Sequence, residues 1–170
     1  MSNYMQYERF DTANGEGVRS SVFFSGCSLH CEGCWNPSSW NPRKGEPFTQ
    51  DVIDKILKDL EHPAISGLSL LGGEPFENLD GAIPLVTQCR NYYGNNKTIW
   101  SWSGYTFEQI IADPEKLELL KLIDVLVEGR FVLAKRDTNL QFRGSTNQRV
   151  LDVKKSLANR APVWLDGIKH

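Results

Sequence analysis

The chain has 170 residues, a formal net charge of -2 and four cysteines. Its length suits one domain with a buried core, and no linker or repeat divides it, so we predict a single domain over 1–170. No apolar run approaches the roughly 20 residues of a membrane helix, and the charge gives no reason to expect binding to nucleic acid or membranes. The opening Met-Ser-Asn-Tyr has no basic segment followed by an apolar one. We therefore expect no secretory signal and a cytoplasmic location.

Apolar periodicity and turn residues predict alternating strands and helices along the chain. Thr49 is the expected N-cap of the first helix, Gly94 ends the second, and Asp113 with Pro114 opens the third. Beyond these, two tail segments, 148–153 and 163–165, are possible strands. In chain order the main predicted elements are a strand at 18–25, a helix at 49–62, a strand at 67–71, a helix at 79–93, a strand at 98–102, a helix at 114–122 and a strand at 123–127.

The order of these elements predicts where a functional site lies. Strand, loop and helix in repetition imply parallel strands joined by right-handed crossovers, and sheets of this kind bind ligands at the carboxyl ends of their strands. An unusual segment follows each of the four predicted strands: 27–34, 72–75, 101–104 and 128–129. We expect the four segments to form one site.

The first of these segments holds three cysteines, Cys27, Cys31 and Cys34, at the spacing C-x3-C-x2-C. Clustered cysteines in a protein without an export signal indicate metal or redox chemistry. Three thiolates can hold three corners of an iron–sulfur cube, which leaves one iron open for a reaction. A structural zinc site, with His30 as fourth ligand, is the competing interpretation. The fourth cysteine, Cys89, lies on the apolar face of a predicted helix and is interpreted as a buried apolar residue.

Further segments, from about residue 5 to residue 153, resemble a known family. A cysteine triplet after the first strand and Gly72-Gly73-Glu74-Pro75 after the second resemble the radical S-adenosylmethionine superfamily. Within it, the chain is similar to the activating enzymes of anaerobic (class III) ribonucleoside-triphosphate reductase. The segments that carry this second likeness include Asn14-Gly15-Glu16-Gly17-Val18-Arg19, Phe24-Ser25-Gly26-Cys27, Cys34-Trp35-Asn36-Pro37, Trp102-Ser103-Gly104-Tyr105, Asp124-Val125-Leu126-Val127-Glu128-Gly129-Arg130-Phe131 and Phe142-Arg143-Gly144-Ser145-Thr146-Asn147-Gln148-Arg149.

The resemblance implies a fold and an activity. The fold is α/β, a partial, open β/α barrel of the radical S-adenosylmethionine type with about five or six mainly parallel strands, since a complete eight-stranded barrel needs about 250 residues. The activity is that of an oxidoreductase: a reduced [4Fe–4S] cluster cleaves S-adenosylmethionine, and the resulting radical takes a hydrogen atom from a glycine near the carboxyl terminus of the reductase. No general acid or base is needed, so no catalytic side chain is predicted.

The resemblance also assigns residues. Cys27, Cys31 and Cys34 would be the cluster ligands. Many members of the superfamily place an aromatic residue just before the third cysteine, whereas this chain has Gly33 there and Trp35 just after it. Glu74 would meet the amino group of the methionine moiety. The full set expected to contact the cofactor is Gly33, Cys34, Trp35, Gly72, Gly73, Glu74, Ser101 and Ser103.

Several points stay open at the level of sequence. The expected partners are the large subunit of the reductase, as protein substrate, and a low-potential donor such as flavodoxin, with a homodimer as a possible state. Alternative functions are another glycyl radical activase, of the pyruvate formate-lyase type, a small radical tailoring enzyme, or a non-catalytic zinc or electron-transfer module. Arg143, Asn147 and Arg149 could face the partner or lie in a solvated loop, and Glu128 is interpreted as part of a tight turn.

Overall fold

The computed structural model describes residues 1–170 and contains one seven-stranded sheet with five α-helices. The elements are, in chain order, β1 (Asn3–Asp11), β2 (Val18–Phe24), β3 (Glu46–Pro47), α1 (Gln50–Asp59), β4 (Ile65–Gly72), α2 (Leu79–Tyr93), β5 (Thr98–Ser103), α3 (Phe107–Ile111), α4 (Pro114–Leu120), β6 (Val125–Glu128), β7 (Arg149–Asp152) and α5 (Val153–Asn159).

The sheet is mixed and open. Its strand order is β3-β1-β2-β4-β5-β6-β7. The four central strands β2, β4, β5 and β6 are parallel neighbours, whereas β1, β3 and β7 pair antiparallel at the two sides. The predicted α/β class and open parallel centre are confirmed. The strand number was wrong: there are seven strands instead of five or six, and only four of them form the parallel block.

The strand β1 was missed, so the run at 18–25 is the second strand and not the first. Alternation of apolar and polar residues is weak in β1, because its pairing with β2 shifts register between Tyr4 and Gln6 and again between Glu8 and Asp11. Such bulges place two residues opposite one and disturb the period of two on which sequence reading depends. Tyr4 and Tyr7 nevertheless pack against the core.

The helices follow the prediction, except that the two short helices α3 and α5 were not predicted. α2 spans the predicted residues and ends at Gly94, whose φ of 55° suits glycine. Thr49 is the N-cap residue of α1, as predicted, although its side chain makes no capping hydrogen bond. α3 was missed, although Thr106 and Gln109 form a capping box there, a pattern visible in the sequence as Thr-x-x-Gln.

Two apolar clusters lie on opposite faces of the sheet. The larger holds 24 buried residues, Cys89 among them, and includes side chains from α1 to α4. The smaller one contains Trp100, Val125, Val127, Val150 and Ile168. The chain after α5 covers this second face: Trp164 bridges Leu151 in β7, and Ile168 is buried. The predicted strand at 163–165 is thus a single bridge at the sheet edge. None of the helices has the length and apolar character that crossing a membrane requires.

Candidate active site

A cavity of about 520 Å³ lies at the carboxyl ends of the four parallel strands, as the order of elements predicted. Its wall combines the cysteine loop after β2 with residues that follow β4, β5 and β6. The residues that line it include Cys27, Leu29, Cys31, Cys34, Trp35, Gly72, Gly73, Glu74, Trp102, Ser103, Gly104, Gly129, Phe131, Phe142, Arg143, Gly144 and Gln148.

The three cysteines of the loop are free thiols and all line this cavity. The backbone fixes them from both ends: the Cys27 amide donates to the Trp40 carbonyl at 3.2 Å, and the Cys34 amide donates to the Cys31 carbonyl at 3.1 Å. Burial raises the pKa of Cys27 to about 11, so this thiol must lose a proton to bind a metal. No group of three or more His, Cys, Asp or Glu side chains converges as the ligands of one metal ion would.

His30, weighed as a zinc ligand, stacks on the indole of Trp40 with ring centroids 4.3 Å apart. It adopts a positive φ of 47°, which bends the loop between Cys27 and Cys31. The ring therefore has a packing role that accounts for its position beside a candidate ligand.

Glu77, which the sequence did not single out, anchors the cysteine loop. Its carboxylate accepts hydrogen bonds from the Ser28 amide at 2.8 Å, from the Ser28 hydroxyl at 2.6 Å and from the Tyr105 hydroxyl at 2.5 Å. The bonded Ser28 directly follows Cys27. These contacts lower the pKa of Glu77 despite its partial burial, and burial together with Glu77 raises the pKa of Tyr105 to about 12.

Gly72 and Gly73 permit two chain segments to touch. A Cβ on Gly73 would stand 2.7 Å from the carbonyl oxygens of both Gly26 and Phe24, and one on Gly72 would also meet the Phe24 carbonyl. The end of β4 thus lies against the backbone that leads to Cys27, and the Glu74 amide donates to the Gly26 carbonyl at 2.9 Å. The double glycine is needed for this contact between strand ends, in addition to any approach of a ligand.

Glu74 is buried, and its carboxylate joins the ends of β4 and β5. It accepts from the Gly104 amide at 2.7 Å, the Ser103 hydroxyl at 2.9 Å and the Phe76 amide at 3.0 Å. Burial outweighs these three hydrogen bonds and raises its pKa to about 7. Ser103 lines the cavity with its hydroxyl directed to Glu74, and its contact with a cofactor stays a prediction.

Two predicted residues do not line the cavity. Ser101 is fully buried and, by the alternation of β5, shares a face with Ile99 in the helix-side cluster. Trp102, on the opposite face, lines the cavity instead, and its indole nitrogen donates to the Phe142 carbonyl at 2.8 Å. Gly33 packs against the chain after β6, since a Cβ there would stand 2.9 Å from Leu133. Because side chains alternate between the two faces of a sheet, the sequence of β5 alone indicates that Ser101 and Trp102 lie on opposite faces.

The Arg-Gly-Ser-Thr-Asn-Gln segment completes the wall through its side chains. The Gln148 amide oxygen accepts from Gly144 at 2.8 Å, while its nitrogen donates to the Gly129 carbonyl at 2.9 Å. Arg143, also buried, donates to the Gln148 carbonyl at 2.6 Å and to the Lys169 carbonyl at 2.8 Å, which ties the carboxyl-terminal segment to the cavity wall.

Glu128 was interpreted as part of a tight turn, and that interpretation was wrong. Its carboxylate is buried and receives two bonds from Arg149, at 2.7 and 2.8 Å, and one from the Phe107 amide at 2.5 Å. These contacts raise the pKa of Arg149. Arg149 is accordingly engaged by Glu128 and, at 2.8 Å, by Glu108.

Comparison with known proteins identifies the family of this chain. The model of a family described as "4Fe-4S single cluster domain" matches residues 13–151. An anaerobic ribonucleoside-triphosphate reductase-activating protein of Vibrio cholerae is 42% identical over 150 residues, which cover 86% of this chain and 95% of that protein. This chain belongs to that family. Proteins of the same name from Escherichia coli K12 (40% identical, 87% and 97% covered) and from Enterobacteria phage T4 (38%, 86% and 93%) are also similar.

Membership of this 4Fe–4S family decides between the interpretations of the cysteine triplet, in favour of a [4Fe–4S] cluster over structural zinc. The residues present fit such a cluster. All three thiols face one cavity, no disulfide consumes them, and Leu29, Trp35 and Phe131 give that cavity an apolar wall. Thiolates are the ligands of such clusters, and an apolar surrounding limits access of water.

Proposed function

We propose that this protein generates the glycyl radical of an anaerobic ribonucleoside-triphosphate reductase. The observation that carries the proposal is the meeting of three free cysteines with the loops of three further parallel strands at one cavity. The curated relatives, about 40% identical over most of the chain, bear the name of activators of that reductase. A pyruvate formate-lyase type of activase or a tailoring enzyme is not favoured by these relatives.

In this proposal Cys27, Cys31 and Cys34 would hold the cluster as thiolates, which would leave one iron without a protein ligand and free for S-adenosylmethionine. When bound, the reduced cluster would supply one electron to the sulfonium of S-adenosylmethionine. The bond from sulfur to the ribose carbon would then break, and the resulting radical would remove a hydrogen atom from the reductase glycine. The side chains and backbone of the protein would position the cofactor and enclose it. Trp35 and Trp102, which line the cavity, would offer apolar surfaces to the adenine, and the backbone of Gly72 and Gly73 would contact the methionine moiety.

The role of Glu74 follows from its hydrogen bonds. Its carboxylate holds Ser103 and the Gly104 amide at the rim of the cavity, and it brings one buried acidic group to the wall. A cationic amino group bound beside it would favour the ionised form and lower its pKa from about 7. In this way Glu74 would both shape the site and supply charge for the cofactor.

The open sheet suits a protein substrate. We propose that the fold is a partial barrel of the radical S-adenosylmethionine type, with the cavity left open on one side so that a loop of the reductase can enter it. A low-potential donor such as flavodoxin, a homodimeric state and a cytoplasmic location belong to the same proposal.

The experiment is to reconstitute and reduce the protein without oxygen, then mix it with a class III reductase and S-adenosylmethionine. A doublet of an organic radical in electron paramagnetic resonance, absent when either the activator or the cofactor is omitted, is the expected result. A Cys31→Ala variant serves as the matched control. Cleavage of S-adenosylmethionine with no radical on the reductase would reject the proposed substrate.

A further inference from the structure

One side of the cavity carries exposed apolar side chains. Trp35 is 68% exposed and Leu133 is 42% exposed, and both lie beside Phe131, whose ring centroid is 6.5 Å from that of Trp35. We call Trp35, Phe131 and Leu133 the rim patch. Trp35 and Phe131 line the cavity, and the side chains of Phe131 and Leu133 pack on Gly33, next to Cys34. An apolar surface therefore continues from the candidate site to the outside of the protein.

Three unpaired cations neighbour the rim patch along the chain, and one of them contacts it. Arg130, Lys135 and Arg136 are exposed and take part in no ion pair, although the chain as a whole has a net charge of -2. The guanidinium carbon of Arg136 lies 4.8 Å from the centre of the Trp35 ring. Three positive charges within seven residues of an acidic chain thus remain free to meet an anionic group.

The backbone that carries these residues is held in place. The Thr146 amide donates to the Lys135 carbonyl at 2.9 Å, and the Asn147 side chain donates to the Arg130 carbonyl at 2.8 Å. The Asp137 amide also donates to the Gly144 carbonyl at 3.1 Å. A preformed surface loses little conformational entropy on binding, which favours its use in recognition.

We infer that the rim patch with Arg130, Lys135 and Arg136 is a docking surface for the partner protein, and that the docking segment carries acidic side chains beside an apolar one. The inference rests on the proposed function and names the surface by which the reductase is recognised. Apolar side chains with charged neighbours are typical of protein interfaces, and the charges increase the association rate. Three cations beside a wholly apolar patch give too small a basic surface for nucleic acid.

The test is a charge reversal at the rim, Lys135→Glu with Arg136→Glu. The matched control, Lys58→Glu with Lys121→Glu, makes the same change in net charge at exposed lysines without ion pairs. Binding of a purified anaerobic reductase is measured by calorimetry at low and high salt. We expect the rim variant to bind at least tenfold more weakly at low salt, with a smaller difference at high salt, and the control to bind within twofold of the unmodified protein.

A third variant tests the apolar part: Leu133→Ala removes an exposed side chain and is expected to weaken binding about fivefold without a change in salt dependence. Iron content and the thermal unfolding midpoint of every variant verify folding. Unchanged binding in the rim variant, or an equal loss in the control, overturns the inference. A change in oligomeric state at the rim variant, or tight binding of a single-stranded 20-nucleotide DNA that the reversal abolishes, overturns it too.

The two proposals can fail separately. Absence of S-adenosylmethionine cleavage by the unmodified, reconstituted protein rejects the proposed function. Binding of the reductase does not require that chemistry, so a rim-dependent affinity would still stand in that case. Conversely, full cleavage and radical formation with rim-independent binding rejects the docking surface alone.

Discussion

Substituting Glu74 by Gln tests the electrostatics of the site before any cofactor is added. The buried carboxyl has its pKa raised to about 7, against an ordinary value of 4.5, because burial outweighs three hydrogen bonds. Below pH 4.5 the carboxyl is protonated in both the folded and the unfolded chain. As the pH rises from 4.5 towards 7, only the unfolded chain gives up the proton, so the free energy of unfolding falls.

The size of this fall in the free energy of unfolding follows from the difference between the ordinary and the raised pKa of Glu74. At about 1.4 kcal/mol for each pH unit, the change from 4.5 to about 7 corresponds to a loss on the order of 3 kcal/mol, complete by pH 8. Glutamine has no proton to lose. The difference in unfolding free energy, Glu74→Gln minus unmodified protein, should therefore rise by that amount between pH 4.5 and 8.

The assay is urea unfolding of the metal-free, reduced protein, followed by circular dichroism at four or five pH values. The difference between the two proteins cancels the titration of all other groups. A difference that stays flat within about 0.5 kcal/mol, or one that falls with rising pH, would refute the reasoning, because the three hydrogen bonds would then dominate over burial.

Three further substitutions, with Cys89→Ala as a control, test the cysteine loop and its supports. Cys31→Ala should abolish iron binding and cleavage of S-adenosylmethionine, whereas Cys89→Ala should retain both. The small core cavity left by Cys89→Ala should lower the free energy of unfolding in urea by about 1–2 kcal/mol. Equal loss of iron in the two variants would contradict the ligand assignment. Gly73→Ala places a Cβ 2.7 Å from the Gly26 carbonyl oxygen, so we expect the free energy of unfolding in urea to fall by about 1–3 kcal/mol. An unchanged free energy of unfolding would argue against the close contact. Glu77→Ala removes the bonds to the loop and should speed iron release to a chelator severalfold, while a release rate equal to that of the unmodified protein would show that the loop needs no such anchor.

Much of the fold was predictable because the buried strands and the long helix are strongly patterned. The strand predicted at 18–25 from its β-branched and aromatic residues and the helix predicted at 79–93 both appear in the structure. β2 places Val22 and Phe24 in the core, although Arg19, Ser20 and Ser21 are buried too, and α2 buries an apolar face. β1 was not predictable in the same way, because two register shifts break its alternation and its outer residues are polar.

The site was predictable in its location and less so in its contacts. Cys27, Gly73 and Ser103 meet at one cavity, because the carboxyl ends of parallel strands share one edge. The bonds of Glu77 to Ser28 and of Glu128 to Arg149 join residues 49 and 21 positions apart. Such partners depend on how the strands are ordered in the sheet, and local sequence carries no signal for them.

The most direct measurement is metal analysis with spectroscopy on the protein reconstituted without oxygen. We predict about four irons and four sulfides for each chain, and a change in the electron paramagnetic resonance spectrum of the reduced cluster when S-adenosylmethionine is added, because one iron has no side-chain ligand. A single zinc in place of iron, or a cluster spectrum that the added cofactor leaves unaltered, would contradict the account.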